Sequence, residues 1–209
     1  MTTPDTPMIF VVDDDEAVRD SLKILLETEG YRATGFESAV AFLDGWREGM
    51  RGCLLADVRM PDMTGLELQE VVIERRLGLP VIIITGHGDV PMAVRAMKAG
   101  AVDFIEKPFS DTTILDSVRR AMEASAHAGA AQGASVEALQ RLESLTPRER
   151  QVLECLVRGR PNKVIAYELD ISPRTVEIHR ARVMEKMQAE SLSHLVRLAL
   201  AAKLEPGGG

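Results

Sequence analysis

The chain has 209 residues, of which 45% are hydrophobic and 27% are charged, and its formal net charge is −7. This length exceeds that of a typical single domain, so we expect two globular domains. No apolar stretch reaches the roughly 20 residues that span a bilayer, and the polar start MTTPDTP is unlike a signal peptide. We therefore expect a cytoplasmic protein without a membrane partner.

The charge is divided unevenly along the chain. Residues 1–143 contain 14 Lys and Arg against 24 Asp and Glu, a net charge of −10. Residues 144–209 contain 11 against 8, a net charge of +3. This asymmetry favours nucleic-acid binding by the second part of the chain. The two cysteines and four histidines lack the short spacing of metal ligands, so neither a disulfide nor a zinc site is expected.

The first part of the chain alternates short apolar runs with amphipathic segments. The predicted strands are 8–12, 32–36, 52–56, 80–85 and 102–105, and the predicted helices are 16–28, 38–48, 65–76, 90–99 and 111–124. Five strands alternating with five helices predict right-handed crossovers and a parallel sheet with helices on both faces. The fold class is therefore α/β, and the continuous VIII of the fourth strand indicates a strand buried on both sides.

The stretch SAHAGAAQGASVEA follows the last of these helices and contains mostly small residues. It predicts a linker rather than a core, although part of it could extend the preceding helix. Only helical patterns follow from Leu145 onward. We therefore predict a first domain over 1–125, a linker over 126–143 and an all-α domain over 144–209.

Polar side chains follow four of the five predicted strands. They are Asp13, Asp14 and Asp15 after the first strand, Asp57 after the third, Thr85 at the end of the fourth, and Lys107 after the fifth. An isolated aspartate more often caps a helix and an isolated lysine is usually solvated. Because parallel strands end at the same edge of the sheet, however, these groups are expected to converge there. Asp15 and Glu16 are assigned to the start of the first helix, where negative charge is favourable.

Carboxylates gathered at one edge require a compensating cation, since each raises the pKa of its neighbours. An oxygen-only ligand set suits Mg²⁺. One aspartate could then act as the nucleophile toward a phosphoryl group, with Lys107 and Mg²⁺ neutralising the transferred oxygens. Thr85 could donate a hydrogen bond to the attached phosphoryl group.

The second part of the chain reads as a helix-turn-helix. Thr146, Pro147 and Glu149 form a capping-box pattern that starts a helix, which Gly159 can terminate. A helix over 162–169, a turn, and a helix that starts at Ser172 and Pro173 follow, and SLSHLVRLALAA forms a last amphipathic helix. The helix after such a turn normally enters the DNA major groove.

One face of helix 173–187 is apolar and carries Val176, Val183 and Met187. Ile178 points the other way, where a thymine methyl group could cover it. The candidate DNA contacts are Lys163, Arg174, Thr175, Glu177, Ile178, Arg180, Ala181, Arg182 and Lys186. Among these, Lys163, Arg180, Arg182 and Lys186 are assigned to phosphates. The alternative is a solvated helix surface.

The segments VVDDDE, LLADVRMPDMTG, IIITGHGDVPMAVRAMKAGAVDFIEKPF and SPRTVEIHR occur in this order. Together they resemble the NarL/FixJ family of two-component response regulators along nearly the whole chain. The resemblance implies a CheY-like (flavodoxin-like) receiver domain and a four-helix LuxR-type helix-turn-helix domain. It implies that Asp57 is the phosphoacceptor, that Thr85 and Phe104 are switch residues, and that the Lys107–Pro108 peptide is cis. It also implies a Mg²⁺ site made by Asp13, Asp14, Asp57 and the backbone carbonyl of Arg59.

The function that the resemblance implies is a phosphorylation-controlled transcription factor, most consistent with an activator. A sensor histidine kinase would supply the phosphoryl group, and the phosphorylated chain would form a homodimer that binds promoter DNA and contacts RNA polymerase. Control of microaerobic or nitrogen-fixation genes is implied by resemblance only. A Mg²⁺-dependent phosphatase of the haloacid dehalogenase type is an alternative, but its DxDx[TV] motif does not follow the first strand. A phosphate sink without a DNA role is a second alternative, which the helix-turn-helix pattern disfavours.

Overall fold

The computed structural model describes residues 7–86, 88–126 and 133–202. These residues form two compact units. Residues 7–86 and 99–126 belong to the first unit, and residues 88–98 and 133–202 belong to the second. The domain boundaries predicted from the sequence stay a prediction. Among the described residues, no helix has the length and apolar character needed to cross a membrane.

The first unit is built on a parallel sheet of five strands in the order β2-β1-β3-β4-β5. The strands are β1 (Met8–Val12), β2 (Arg32–Phe36), β3 (Gly52–Asp57), β4 (Val81–Thr85) and β5 (Asp103–Glu106). The helices that follow them in the chain are α1 (Glu16–Thr28), α2 (Ala39–Gly45), α3 (Gly65–Glu74), α4 (Val90–Lys98) and α5 (Asp111–Ala126). The predicted α/β class is confirmed. The segment Gly88–Lys98, which includes α4, is grouped with the second unit.

The central strands of this sheet are buried because helices cover them. Every residue of β3 and β4 is buried, as the continuous apolar sequence of the fourth strand predicts. On one side, Ile9, Val11 and Leu55 pack with residues of α1 and α5. On the other side, the ring of Phe10 packs against Phe42 at a centroid distance of 5.6 Å. The apolar packing covers the two faces of the sheet, and the polar groups lie at the carboxyl ends of the strands.

From residue 133 onward, the described part of the second unit is built from helices without strands. They are α6 (Gly133–Glu143), α7 (Pro147–Val157), α8 (Asn162–Glu168), α9 (Pro173–Met187) and α10 (Leu192–Ala201). Helix α6 differs from the linker predicted over 126–143. Its Ala138 and Leu142 are buried in the hydrophobic core of the second unit, so packing, rather than local composition, makes this segment helical.

The predicted start signals of α7 and α9 are present in the structure. Thr146 and Glu149 form a reciprocal capping box, and the Ser172 hydroxyl accepts the backbone N–H of Thr175 at 3.0 Å. Gly159, with φ at +75°, lies directly after the end of α7. The face of α9 formed by Val176, Val183 and Met187 is fully buried, as its periodicity predicts.

A partly buried ion pair joins α7 to α9 in this unit. Glu149 is only 2% exposed and accepts hydrogen bonds from Lys186 Nζ at 2.7 Å and from the Thr146 backbone N–H at 2.8 Å. The hydrogen bond from Lys186 is the main cause that lowers the Glu149 pKa from 4.5 to about 2, against the effect of burial. Glu149 therefore caps the start of α7 and also binds Lys186 of α9.

We expect acid to weaken the helical unit through Glu149. Its folded pKa lies below its unfolded value, so its contribution is complete above about pH 4.5 and is lost as the pH falls toward 2. Glu149→Gln should lower the free energy of unfolding at pH 7 by about 1–3 kcal/mol, because Lys186 loses its partner. It should also flatten the dependence on pH between 4.5 and 2. Denaturant titration followed by helical circular dichroism measures both effects.

Glu185→Gln is the matched control for this substitution. Glu185 is an exposed residue of α9, the helix that carries Lys186. The control should keep the stability and the acid dependence of the parent chain. Equal losses in the two variants would contradict the role assigned to the buried pair.

Candidate functional site

Two buried carboxylates and one ammonium group meet at the carboxyl edge of the sheet. Lys107 Nζ lies 2.8 Å from Asp13 Oδ2 and 2.7 Å from Asp57 Oδ1. Asp13 follows β1, Asp57 ends β3, and Lys107 follows β5. The two carboxylates are 3% and 7% exposed. The structure thus brings together three groups that are up to 94 residues apart in the chain.

The electrostatics of this cluster depend on the lysine. Burial is the main cause that raises the pKa of Asp13, and the neighbouring Asp57 acts in the same direction, against the hydrogen bond from Lys107. Burial acts to lower the pKa of Lys107, but the hydrogen bonds and charges of both aspartates outweigh it and raise this pKa overall. The ammonium group is therefore held in its charged form between the carboxylates.

Backbone groups fix the orientation of both carboxylates. Asp13 Oδ1 accepts the Asp15 N–H at 2.9 Å, and Asp57 Oδ2 accepts the Arg59 N–H at 2.6 Å. The Arg19 guanidinium donates to the Asp13 carbonyl at 2.7 Å. Arg19 was not predicted from the sequence, and its position six residues after Asp13, at the end of the first turn of the predicted helix, was the available signal.

Asp14 and Asp15 occupy different positions from Asp13. Asp15 is the N-cap of α1 and accepts the Ala17 and Val18 N–H groups, so its predicted role at the start of the helix is confirmed. Asp14 is exposed, and no hydrogen bond or ion pair joins its side chain to Asp13, Asp57 or Lys107. Within the described residues, no three acidic, histidine or cysteine side chains are gathered into a group that could hold a metal ion.

The remaining predicted positions of this site lie on β4 and β5. Thr85 is fully buried at the end of β4, and its carbonyl accepts the Lys107 N–H at 2.7 Å. Phe104 is half-buried on β5, opposite Ile83 of β4. The Lys107–Pro108 peptide is cis, as expected. Thr85 is thus joined to the carboxylate cluster through the backbone of Lys107, and Phe104 lies on the neighbouring strand.

Gly65 allows the acceptor strand and α3 to approach each other closely. A Cβ atom at this position would lie 2.3 Å from the Asp57 carbonyl oxygen. The Gly65 N–H donates to the Val58 carbonyl at 3.1 Å. The Thr64 capping box starts α3 directly before it. The turn after Asp57 is therefore fixed by backbone contact.

The exposed face of α9 carries several of the predicted nucleic-acid contacts. Ile178 is 48% exposed, whereas Val176 two residues earlier is fully buried. The other exposed candidates in this unit are Lys163, Arg174, Glu177, Ala181 and Arg182.

Three candidates on this helix have partners inside the protein. Lys186 Nζ lies 2.7 Å from Glu149 Oε2, and its contact with a DNA phosphate stays a prediction. Arg180 donates to the Asn162 side chain at 2.7 Å, and burial lowers its pKa. The Thr175 hydroxyl lies 2.8 Å from the Ser172 hydroxyl at the helix start. Periodicity placed these residues on α9 but could not show the bonds of Lys186 to α7 and of Arg180 to α8.

Two family models match the chain in the order of its two parts. The model described as "Response regulator receiver domain" matches residues 9–119. The model described as "Bacterial regulatory proteins, luxR family" matches residues 143–199. The two matches together cover most of the described residues.

Similar proteins match both parts at once. The transcriptional regulatory protein FixJ of Azorhizobium caulinodans is 53% identical over 203 residues, which cover 97% of this chain and 96% of the relative. FixJ of Rhizobium meliloti is also 53% identical, over 95% of this chain and 97% of the relative. A solved structure of full-length FixJ from B. japonicum has 48% identity and a TM-score of 0.54, with coverage of 95% and 98%. A low-resolution structure of the response regulator StyR has 44% identity and a TM-score of 0.56, with coverage of 93% and 98%.

Proposed function

The chain belongs to the response regulators in which a receiver domain precedes a LuxR-type DNA-binding domain, and we propose that its Asp57 accepts a phosphoryl group from a sensor histidine kinase. The family makes the chain a transcription regulator and a phosphoacceptor protein rather than an enzyme of the phosphatase type. The observation that carries the proposal is the position of the Asp57 carboxylate, buried at the sheet edge and 2.7 Å from the Lys107 ammonium.

Asp57 and the residues around it have different roles in the proposed phosphoryl transfer. Asp57 Oδ1 or Oδ2 attacks phosphorus, and the bond from phosphorus to the donor histidine nitrogen breaks. Lys107, which is fixed by Asp13, is available to compensate the charge of the transferred oxygens. The Thr85 hydroxyl then donates to the phosphoryl group. Self-catalysed transfer and later hydrolysis of the acyl phosphate belong to this proposal.

Mg²⁺ fits the residues present at this edge. Two buried carboxylates and nearby backbone carbonyls form an oxygen-only donor set, and Mg²⁺ commonly takes one or two carboxylates while it keeps several waters. We propose that Asp13, Asp57 and the Arg59 carbonyl hold the ion, with Asp14 completing the site. When bound, Mg²⁺ would neutralise phosphoryl oxygens during transfer.

The output of the site is proposed to be DNA binding by a homodimer. Phosphorylation must favour one of two states, and Thr85 with Phe104 would form the element that changes. The exposed face of α9, centred on Ile178, would then read the major groove of promoter DNA. Contact with RNA polymerase, activation rather than repression, and microaerobic or nitrogen-fixation control remain predictions, as does the cytoplasmic location.

Selection of DNA fragments with phosphorylated and unphosphorylated protein tests this function. We expect the phosphorylated chain, treated with acetyl phosphate and Mg²⁺, to bind selected fragments more tightly and to elute as a dimer in gel filtration. Affinity should fall steeply with salt, because binding to phosphates releases counterions. Equal, salt-insensitive binding by the two forms would contradict the proposal.

The α9 surface has its own matched pair of variants. Ile178→Ala should weaken binding to the selected fragment about tenfold, which equals about 1.4 kcal/mol, because an apolar contact is lost. Leu139→Ala removes a similarly exposed side chain from α6 and should leave the affinity unchanged. Equal losses in both variants would place the DNA surface elsewhere.

A further inference from the structure

A cavity of about 820 Å³ lies at the edge of the sheet opposite Asp57. Pro7 precedes β1, Gly52 opens β3, and Gly78 lies between α3 and β4, so the cavity is at the amino ends of these strands. All of its lining residues belong to the first unit. Its volume falls within the range of roughly 300–1,000 Å³ that is typical of small-molecule sites.

The described wall of this cavity is rich in arginine. Arg51, Arg75 and Arg76 line it, and Glu48 is the one acidic residue among its described lining residues. The first 143 residues carry a net charge of −10, so three arginines around one cavity form a local exception. Among the described residues, no ion pair involves Arg75 or Arg76. The guanidinium groups of Arg75 and Arg76 could therefore bind an anion.

One of these arginines has a strained backbone conformation. Arg76 has φ at +52°, and its N–H donates to the Ile73 carbonyl just after the end of α3. Glycine is the residue that usually occupies this position, because a side chain is strained there by about 1 kcal/mol. The helix carboxyl terminus favours a cation, which accounts for a positive charge near this turn.

The apolar part of the wall includes an aromatic ring in a fixed position. Trp46 packs against Phe10 at a centroid distance of 5.8 Å and against Phe42 at 6.0 Å. The ring is half-buried, and it also lines the cavity with Met50. A rigid indole beside guanidinium groups suits a ligand that combines a flat ring with anionic oxygens.

We propose that this cavity binds a nucleotide, with the base against Trp46 and the phosphates held by Arg51, Arg75 and Arg76. Size, charge and the aromatic wall each support the same ligand class. The site is separate from the acidic cluster at the other edge of the sheet, so the proposal does not depend on phosphorylation of Asp57.

Tryptophan fluorescence tests the proposal directly, because Trp46 is the only tryptophan of the chain. Titration of the full chain with ADP should give a saturable change in its emission. Adenosine, which lacks the charge, and inorganic pyrophosphate, which lacks the ring, should each bind at least about tenfold more weakly. Asp57→Asn should bind ADP as the parent chain does.

Two substitutions separate ligand binding from folding. Arg75→Gln removes one guanidinium group and should raise the Kd for ADP about tenfold, the loss of one charge-assisted contact. Arg76→Gly should weaken binding similarly while it relieves the positive φ, so a folding defect cannot explain its effect. Arg119→Gln is the control, because it removes the same charge from an exposed ion pair with Asp116 in the same unit.

Three results would overturn the proposal. The first is the absence of a saturable fluorescence change at millimolar ADP. The second is an equal loss of affinity in Arg119→Gln, which would indicate general charge attraction. The third is equal affinity for ADP and pyrophosphate, which would leave an inorganic anion site without a role for Trp46.

Discussion

Asp57→Asn is expected to abolish phosphorylation of the chain by acetyl phosphate while the fold is retained. An amide is a poor nucleophile, whereas its shape and its oxygen still allow one of the contacts with Lys107 or Arg59. Loss of the negative charge also removes one of the influences that raise the Asp13 pKa. Intact-protein mass spectrometry measures the phosphorylated fraction, and thermal unfolding measures the fold.

Asp62→Asn is the matched control for the acceptor. Asp62 is exposed and follows Asp57 by five residues, so the same chemical change is made beside the site. This variant should be phosphorylated to the same extent as the parent chain. Persistent phosphorylation of Asp57→Asn at another residue would refute the acceptor assignment.

Gly65→Ala is expected to destabilise the first unit and to slow phosphorylation. The added methyl group would lie 2.3 Å from the Asp57 carbonyl oxygen and 3.0 Å from the carbonyl carbon, and neither backbone atom can move without shifting the acceptor. Such overpacking costs about 1–3 kcal/mol. The better helix propensity of alanine offsets only about 1 kcal/mol of this cost. Denaturant titration and the rate of phosphorylation by acetyl phosphate are the two measurements.

Gly86→Ala provides the comparison. Gly86 follows Thr85 at the same edge of the sheet, and a Cβ atom there would meet nothing within 4 Å. We expect its stability to remain within about 0.5 kcal/mol of the parent chain. If both variants retain full stability and reactivity, the close approach of α3 to Asp57 does not fix the acceptor.

The strands and helices of the first unit could be predicted from the sequence, because apolar runs and hydrophobic periodicity are properties of short segments. Predicted strands 8–12 and 32–36 coincide with β1 and β2, and predicted helix 16–28 coincides with α1. The end of α2 was predicted at residue 48, but the helix ends at Gly45. Trp46 after it is extended and packs on Phe10 and Phe42, a contact that local periodicity does not contain.

The sequence also predicted which site residues converge, because parallel strands end at one edge. It could not distinguish Asp13, which is buried and bound to Lys107, from Asp14, which is exposed. Adjacent residues at a strand end point in different directions, and the surrounding elements decide which one is buried.

The sequence by itself determined the element order, the apolar face of α9 and the set of polar groups at the sheet edge, because hydrophobic periodicity and strand ends are properties of short segments. The tertiary structure decided which residues from distant segments come into contact. Lys186 binds Glu149 across 37 residues, Ala138 and Leu142 of α6 are buried in a core, and three arginines line one cavity with Trp46. Each of these depends on a distance between segments far apart in the chain, which only packing sets.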